Sequence, residues 1–208
     1  EAVVRPLAPA QDASAVPAAH VEDTPDSPTI EALVDLSNAR FPREDRAWEA
    51  GDTLKNVLFM LVRPDGSREP LAIGLPGDRE VDTKRLEAAI EPAELDAFTE
   101  EDFASFPSLV KGYIGPGALG LAEDGTGVRY LTDPAVAEGT RWITGANQPG
   151  HHVYDLVAGR DFASDGVLDV AELREGDPAP DGSGPLSLAR GIELGHIFQL
   201  GRKYADAL

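Results

Sequence analysis

The sequence contains no cysteine in its 208 residues. This absence excludes a disulfide framework, a thiolate nucleophile and zinc sites with cysteine ligands. The chain also lacks an apolar run near the ~18 residues that a membrane helix needs, and no basic segment leads into an apolar stretch. We therefore expect a cytoplasmic protein without a membrane partner. The starting methionine is missing too, so we expect a piece of a longer protein.

Basic residues are scarce, with 18 Lys and Arg against 37 Asp and Glu, which gives a formal charge of -19. Such a surface repels a polyanion at long range, and this argues against broad docking on nucleic acid. A site that grips only the tip of a nucleic acid, with the main affinity supplied by another part of a parent protein, stays open. A solvated acidic surface without any message about partners is the alternative.

The composition, with 42% hydrophobic and 26% charged residues, is typical of a globular protein, and we expect one compact domain. Residues 1–27 are rich in Ala, Pro, Asp and Ser, which predicts an extended lead-in or linker. A helix is expected from Thr29 onward, with Ser27 and Pro28 as N-cap and first-turn proline. The apolar segments 53–62 and 70–75 flank a Pro-Asp-Gly turn and predict a β-hairpin.

Further elements alternate irregularly along the rest of the chain. An acidic cap and helical spacing predict a helix over 82–90, and Thr99 predicts the start of another short helix. Short strands are expected near 128–131 and 152–157. This pattern favours an α+β fold with a mixed, mainly antiparallel sheet and flanking helices over a doubly wound parallel sheet.

The glycine-rich segment Gly115-Pro-Gly-Ala-Leu-Gly120 is the first candidate for chemistry. Glycines at these spacings let backbone N–H groups converge on one point, where they can hold the oxyanion that develops when an ester is attacked. An ordinary tight turn is the alternative. The sequence has neither a cysteine nor a Gly-x-Ser-x-Gly elbow, so hydrolysis by a positioned water fits better than a side-chain nucleophile.

Lys55 and His152 are the candidate side chains. Lys55 interrupts an apolar strand and faces either solvent or a cleft. His152 begins an apolar strand, where a histidine is often structural or merely exposed. The stretch from Asp161 to Glu172 imitates a calcium loop, but Ala163 occupies a ligand position and a strand precedes it, so we expect no metal site.

Several segments carry a family resemblance. The segment Arg190-Gly-Ile-Glu-Leu-Gly-His-Ile-Phe-Gln-Leu-Gly-Arg-Lys-Tyr204 is similar to the point where bacterial prolyl-tRNA synthetases return from an insertion into their class II catalytic core. Four further segments resemble landmarks of the editing insertion of that family, in the same order: Thr29-Ile-Glu-Ala-Leu-Val, Leu54-Lys-Asn-Val-Leu, Gly115-Pro-Gly-Ala-Leu-Gly and Gly145-Ala-Asn-Gln-Pro-Gly-His-His. The resemblance implies an editing insertion over 28–185 with a YbaK-like fold, followed by a core segment over 186–208.

The resemblance also implies an activity, the hydrolysis of alanine from proline tRNA. Alanine is smaller than proline, so a proline pocket cannot exclude it, and each missing methylene gives only ~1 to 3 kcal/mol of discrimination. A second, smaller pocket then admits alanine and shuts out proline. The substrate's own ribose hydroxyl is expected to assist the water.

Site roles follow from the same resemblance. Lys55 would grip a phosphate of the tRNA terminus, and backbone groups at Gly115 and Gly117 would hold the oxyanion. His152 and Asp133 would shape the alanine pocket, although Asp133 could equally cap a turn before a proline. Asn147 and Ala118 are the weaker substrate-binding candidates; Ala118 stands where the family often carries Ser.

Editing itself is expected to need no cofactor, whereas ATP and magnesium would serve only the parent synthetase. The expected partners are the 3′ end of tRNA(Pro) carrying alanine and the rest of the synthetase, and the isolated chain should be a monomer without ligase activity. Two alternatives stay open. One is a non-catalytic module that positions the tRNA end or stabilises its parent, and the other is a free-standing trans-editing deacylase.

Overall fold

A computed structural model describes residues 5–27, 29–43, 45–122 and 125–189. Its helices are α1 (Ile30–Arg40), α2 (Thr83–Ile90) and α3 (Glu100–Ser105), with short 3₁₀ turns at Ala50–Asp52 and Pro116–Ala118. Its strands are β1 (His20–Asp23), β2 (Leu54–Val62), β3 (Arg68–Pro76), β4 (Glu94–Ala97), β5 (Arg129–Thr132), β6 (Arg141–Gly145), β7 (His151–Val157) and β8 (Gly166–Val167).

The strands form two sheets. The larger sheet has the order β4-β2-β3-β5-β8, in which β4, β2 and β3 are antiparallel while β5 pairs in parallel with both β3 and β8. The smaller sheet, β1-β7-β6, is antiparallel throughout. The predicted α+β class with a mixed, mainly antiparallel sheet is thereby confirmed. The predicted core segment falls mostly outside the described residues, which end at residue 189.

The predicted hairpin is present. Strands β2 and β3 pair along their whole length, from Leu54 opposite Pro76 to Val62 opposite Arg68. Gly66 closes the turn with a φ of 82°, a conformation that a residue without Cβ adopts at little cost. Its N–H donates to the carbonyl of Arg63 at 2.8 Å. The turn residues therefore set the register that places Lys55 near the start of β2.

Side chains cap the three helices, and one cap differs from the prediction. Asp82 accepts from two backbone N–H groups at the start of α2, and Thr99 forms a capping box at the start of α3, both as expected. Thr29, not Ser27, caps α1, because its hydroxyl accepts from the N–H of Ala32 at 3.2 Å. The buried hydroxyl of Ser27 instead donates to the carbonyl of Thr24. Pro28 lies outside the described residues.

The segment predicted as an extended lead-in contributes to the folded structure. Its strand β1 pairs with β7, with His20 opposite Tyr154 and Asp23 opposite His151. Arg5 is also buried and forms ion pairs with Asp133 and Asp169. The sheet thus begins before residue 28, and residues of this segment reach the neighbourhood of the site.

Separate clusters of buried side chains hold the layers together. One lies between the larger sheet and α2 and includes Leu71, Ile73, Leu75 and Leu86. Another joins α1 to the smaller sheet through Leu33, Trp48, Ile143 and Tyr154. The two sheets meet where Thr53 bridges to Ile143, at the beginning of β2. No helix in the described part of the chain has the length and apolar character that a membrane crossing requires.

Candidate active site

A cleft of about 230 Å³ opens where the two sheets meet. The start of β2, the end of β6, the second residue of β7, one face of α1 and the loop before Gly115 surround it. The lining residues are Ile30, Leu33, Thr53, Leu54, Lys55, Asn56, Val57, Gly112, Ile114, Ile143, Thr144, Gly145 and His152. The fold thus brings Lys55 and His152 to one cleft and the glycine loop to its border. The volume is smaller than the ~300–1,000 Å³ of common ligand pockets, which suits a small ligand.

Lys55 supplies the charge of the cleft. Its side chain is 18% exposed, and its ammonium donates to Oε1 of Glu80 at 2.7 Å. The Glu80 side chain is 69% exposed, so water screens this ion pair and it contributes little stability. Because the lining contains no Asp or Glu among the described residues, Lys55 is its one charged side chain. An anion from a ligand can therefore displace Glu80 at low cost.

His152 is a buried, neutral side chain. Its Nδ1 forms a hydrogen bond of 2.6 Å with the hydroxyl of Thr24, and its ring lies 5.4 Å from the ring of Tyr113, measured between centroids. Burial lowers the pKa of His152 to about 4, and the neighbouring His151 adds to the effect. At neutral pH the imidazole is therefore uncharged, so it shapes the cleft and offers no positive charge.

Asn147 clamps the glycine loop. Its Oδ1 accepts from the N–H of Gly115 at 2.9 Å, and its Nδ2 donates to the carbonyl of Gly115 at 3.3 Å. The backbone N–H of Asn147 donates to the carbonyl of Tyr113 at 2.8 Å. Its positive φ of 55° is tolerated better by Asn than by most residues. Asn147, predicted as a substrate contact, thus holds the loop, and the Gly115 amide already has an acceptor.

The loop packs against β6 by backbone contact. A Cβ on Gly115 would lie 1.9 Å from the carbonyl oxygen of Gly145, and a Cβ on Gly145 would lie 2.1 Å from the carbonyl carbon of Tyr113. Gly117, in contrast, is exposed, and a Cβ there would meet no atom within 4 Å. Its N–H has no hydrogen-bond partner among the described residues. Neither Gly115 nor Gly117 is among the described lining residues of the cleft, and of these two predicted oxyanion donors Gly117 is the one with a free amide.

The other two predicted residues lie elsewhere. Ala118 is 7% exposed and packs in a core cluster with Leu109 and Val128. Asp133 is buried under Arg5, and its Oδ1 accepts from the N–H of Ala135 at 2.9 Å. Neither residue lines the cleft in the described part of the chain. The buried guanidinium satisfies the Asp133 carboxylate, which is why this side chain closes a turn in the fold and does not face the cleft.

Sequence reasoning overlooked Asn56, the neighbour of Lys55. Its Nδ2 donates to the carbonyl of Ile114 at 2.9 Å and to the hydroxyl of Thr144 at 3.3 Å. The amide therefore ties β2 to both the glycine loop and β6. The available signal was a polar amide in an otherwise apolar strand, because burying an amide is unfavourable unless it forms hydrogen bonds.

A larger cavity of about 720 Å³ lies on the other side of the cluster around Trp48. Arg43 and Arg141 each stack over the Trp48 ring, but Arg43 is paired with Asp52 and Arg141 with Asp155, whose side chains are only 11% and 6% exposed. Their charges are thus already neutralised, and we place the chemistry in the smaller cleft, where Lys55 has only an exposed partner.

The stretch that imitates a calcium loop uses its carboxylates within the fold. Asp161 accepts from the N–H of Val157, and Asp165 accepts from the N–H of Tyr130, both at 2.7 Å. The described residues contain no group of three or more His, Asp or Glu side chains that could hold a metal ion. These carboxylates therefore have structural partners.

A small cleft lined by a lysine, a neutral imidazole and the loop before Gly115 lies at the junction of the two sheets of this α+β domain. The family model of the aminoacyl-tRNA editing domain matches residues 24–162. This range includes every lining residue of the cleft and also Thr24. The chain belongs to the aminoacyl-tRNA editing domain family.

Curated relatives carry the name proline--tRNA ligase. The protein of Kineococcus radiotolerans is 64% identical over 208 residues, which cover 100% of this chain and 35% of that protein. The protein of Cutibacterium acnes is 69% identical over 193 residues, which cover 93% of this chain and 33% of that protein. The chain thus spans about a third of the length of these relatives.

A solved structure shares the fold. The crystal structure of hypothetical protein APE2540 has a TM-score of 0.52 and 13% sequence identity, covering 74% of this chain and 92% of that chain. At this identity the likeness shows the fold alone.

Proposed function

We propose that this chain hydrolyses the ester of alanyl-tRNA(Pro), as the editing part of a proline--tRNA ligase. One observation carries the proposal: Lys55, His152 and the loop before Gly115 meet at a single small cleft. Membership of the editing family and the names of the relatives support it. The alternative, a module that only positions the tRNA end, uses the same cleft without turnover.

In this proposal Lys55 binds a phosphate near the tRNA terminus. An ammonium acts as a point charge for a phosphate oxygen, and such contacts position a nucleic acid without reading its sequence. In the free chain Lys55 pairs with Glu80, and the phosphate replaces this carboxylate when the tRNA terminus binds. Since Glu80 stays exposed, its carboxylate returns to water when it is displaced.

The Gly117 amide holds the oxyanion that forms when a water attacks the ester carbonyl. The amide is exposed and has no partner among the described residues, while the double hydrogen bond from Asn147 to Gly115 fixes the loop beside it. A donor that is fixed before the reaction stabilises developing charge without further reorganisation. His152 is uncharged at neutral pH and is not a cationic acid. The family resemblance implies that the ribose hydroxyl of the substrate assists the water.

In this proposal the cleft selects alanine over proline because its walls are rigid. The backbone contacts at Gly115 and Gly145 fix one wall, and the buried His152 fixes another. In this proposal a larger amino acid would press against these walls. Because each methylene alone changes binding by only ~1 to 3 kcal/mol, a rigid wall improves the discrimination.

The remaining two thirds of the relatives' length would supply the main affinity for tRNA, and ATP and magnesium would serve the ligase reaction there. Editing in the cleft would need no cofactor. We further propose that the isolated chain is a cytoplasmic monomer.

Single-turnover deacylation with excess protein tests the proposal, using alanyl-tRNA(Pro) and prolyl-tRNA(Pro) as substrates. The chain should release alanine and spare proline. Lys55→Ala should lower the rate with alanyl-tRNA(Pro) by about 10- to 100-fold, the range for a lost hydrogen bond to a charged group. Lys111→Ala is the matched control, because Lys111 is 69% exposed, pairs with Glu100 and is not among the described lining residues of the cleft.

Equal rates for Lys55→Ala and the wild type would refute the role of Lys55. Binding of alanyl-tRNA(Pro) without release of alanine would favour the positioning module over the deacylase.

A further inference from the structure

The side-chain amide of Asn56 has a fixed orientation. Its Nδ2 donates to the carbonyl oxygen of Ile114, which can only accept. Its second donor contact is the hydroxyl of Thr144, whose own proton is given to the carbonyl of Leu54 at 2.8 Å. If the amide were flipped, its oxygen would face the Ile114 carbonyl oxygen and gain no hydrogen bond there. The nitrogen therefore points into the wall, and Oδ1 is held in a defined place.

This oxygen lacks a hydrogen-bond donor. Asn56 lines the cleft, and its Oδ1 is one of two buried side-chain polar atoms without a partner among the described residues. The other is the hydroxyl of Tyr130, which belongs to a separate core cluster. Buried acceptors are normally satisfied, so an unpaired one in the wall of a cleft points to a donor brought by the ligand.

The charges around Asn56 indicate which donor fits. An aminoacyl ester carries an α-ammonium group, which needs acceptors, and the described lining contains no carboxylate to provide them. Lys55 would repel the ammonium. The hydroxyl protons of Thr53 and Thr144 are donated to backbone carbonyls, so neither hydroxyl can satisfy Asn56 Oδ1. A compact, charged donor also forms a stronger hydrogen bond with a neutral oxygen than a hydroxyl does.

We propose that Asn56 Oδ1 accepts a hydrogen bond from the α-ammonium of the aminoacyl ester, which makes Asn56 a specificity-determining residue of the cleft. This inference rests on the proposed deacylase function. Asn56 would then fix the amino end of the substrate while its Nδ2 holds the glycine loop through Ile114. One amide would thus couple recognition of the amino acid to the position of the oxyanion donor.

The experiment compares two substrates in two proteins. Lactyl-tRNA(Pro) carries an α-hydroxyl where alanyl-tRNA(Pro) carries the α-ammonium. The deacylation rate of each substrate is measured with the wild type and with Asn56→Ala under single-turnover conditions. The ratio of the alanyl to the lactyl deacylation rate should be about 10- to 100-fold higher in the wild type than in Asn56→Ala. A general loss of folding or loop position slows both substrates equally and leaves this ratio unchanged.

Thr144→Val is the matched control, since it removes a partner of Nδ2 and leaves Oδ1 in place. It should keep most of the preference for the ammonium. An identical substrate ratio in the wild type and in Asn56→Ala would overturn the inference while the deacylase function stands.

A wild type that hydrolyses neither ester would instead refute the proposed function. In that case, the affinities of the chain for two stable amides decide the role of Asn56. The first is 3′-alanylamido-adenosine, and the second is its propionyl counterpart, which lacks the amino group. Asn56→Ala should weaken binding of the alanyl compound alone, and equal losses for both compounds would overturn the inference.

Discussion

Acidification from about pH 7 to about pH 5 should weaken the fold through His152. Burial lowers the pKa of this imidazole from 6.5 to about 4, so the folded chain keeps it neutral while the unfolded chain protonates it. Between these two values the unfolded state binds more protons than the folded state, and stability falls as the pH falls. The stabilisation is complete above pH 6.5 and is lost progressively towards pH 4.

The size of the effect follows from the two pKa values. Each pKa unit corresponds to about 1.4 kcal/mol, so a difference of about 2.5 corresponds to about 3 kcal/mol in all. About 2 kcal/mol of this is lost between pH 7 and pH 5, where few carboxylates have titrated. His152 is only 5% exposed, so solvent screening reduces this figure little.

Urea unfolding at a series of pH values measures the effect, with the wild type, His152→Gln and His151→Gln compared. The free energy of unfolding of the wild type should fall by about 2 kcal/mol more than that of His152→Gln over this range. His151→Gln should keep most of the dependence, since burial is the larger cause of the lowered pKa and His151 the smaller. The same slope in His152→Gln as in the wild type would refute the assignment of a buried neutral imidazole.

Three further predictions concern the walls of the cleft. Gly145→Ala should destabilise the fold by more than about 2 kcal/mol, since its Cβ would lie 2.1 Å from a backbone atom. The control Gly117→Ala places its Cβ in open space and should melt like the wild type. Similar melting curves for the two variants would contradict the close contact at Gly145. Asn147→Ala should slow deacylation and should lower the free energy of unfolding, measured with urea, by about 1–3 kcal/mol, because the Gly115 amide loses its acceptor. An unchanged deacylation rate would show that the hydrogen bonds from Asn147 to Gly115 do not contribute to catalysis. Glu80→Gln should lower KM for alanyl-tRNA(Pro), because Glu80 competes with phosphate for Lys55. The free energy of unfolding should change by less than about 0.5 kcal/mol, because the Lys55–Glu80 ion pair is exposed. A raised KM would show that Glu80 positions the lysine instead.

Local signals in the sequence were sufficient for much of the fold. The Pro-Asp-Gly turn predicted the hairpin, and the side chains of Asp82 and Thr99 predicted the starts of two helices. In contrast, β1 has the sequence His-Val-Glu-Asp with mostly exposed side chains, and it becomes a strand because β7 offers it a partner. Pairing between segments more than 100 residues apart has no local signature, so the lead-in was predicted as a linker.

The site was predictable where a residue acts from its own element. Lys55 and His152, which the family resemblance singled out, lie near the start of their strands and line the cleft, while their roles stay predictions. Asp133 does not, because the buried Arg5, which is 128 positions away in sequence, binds its carboxylate. The partner of the Gly115 amide, Asn147, is likewise 32 positions away. Both relationships exist only in the folded chain.

The charge of the molecule bears on how the cleft can work. The chain carries -19 overall, yet the described lining of the cleft has a lysine and no carboxylate. An acidic exterior repels most of a tRNA, and one cation cannot compensate for this repulsion along a polyanion. Selection of alanine needs no such affinity, because it depends on contacts that differ between two substrates in the transition state. In the proposed function, a cleft of this charge would choose between amino acids while the other two thirds of a synthetase would hold the tRNA.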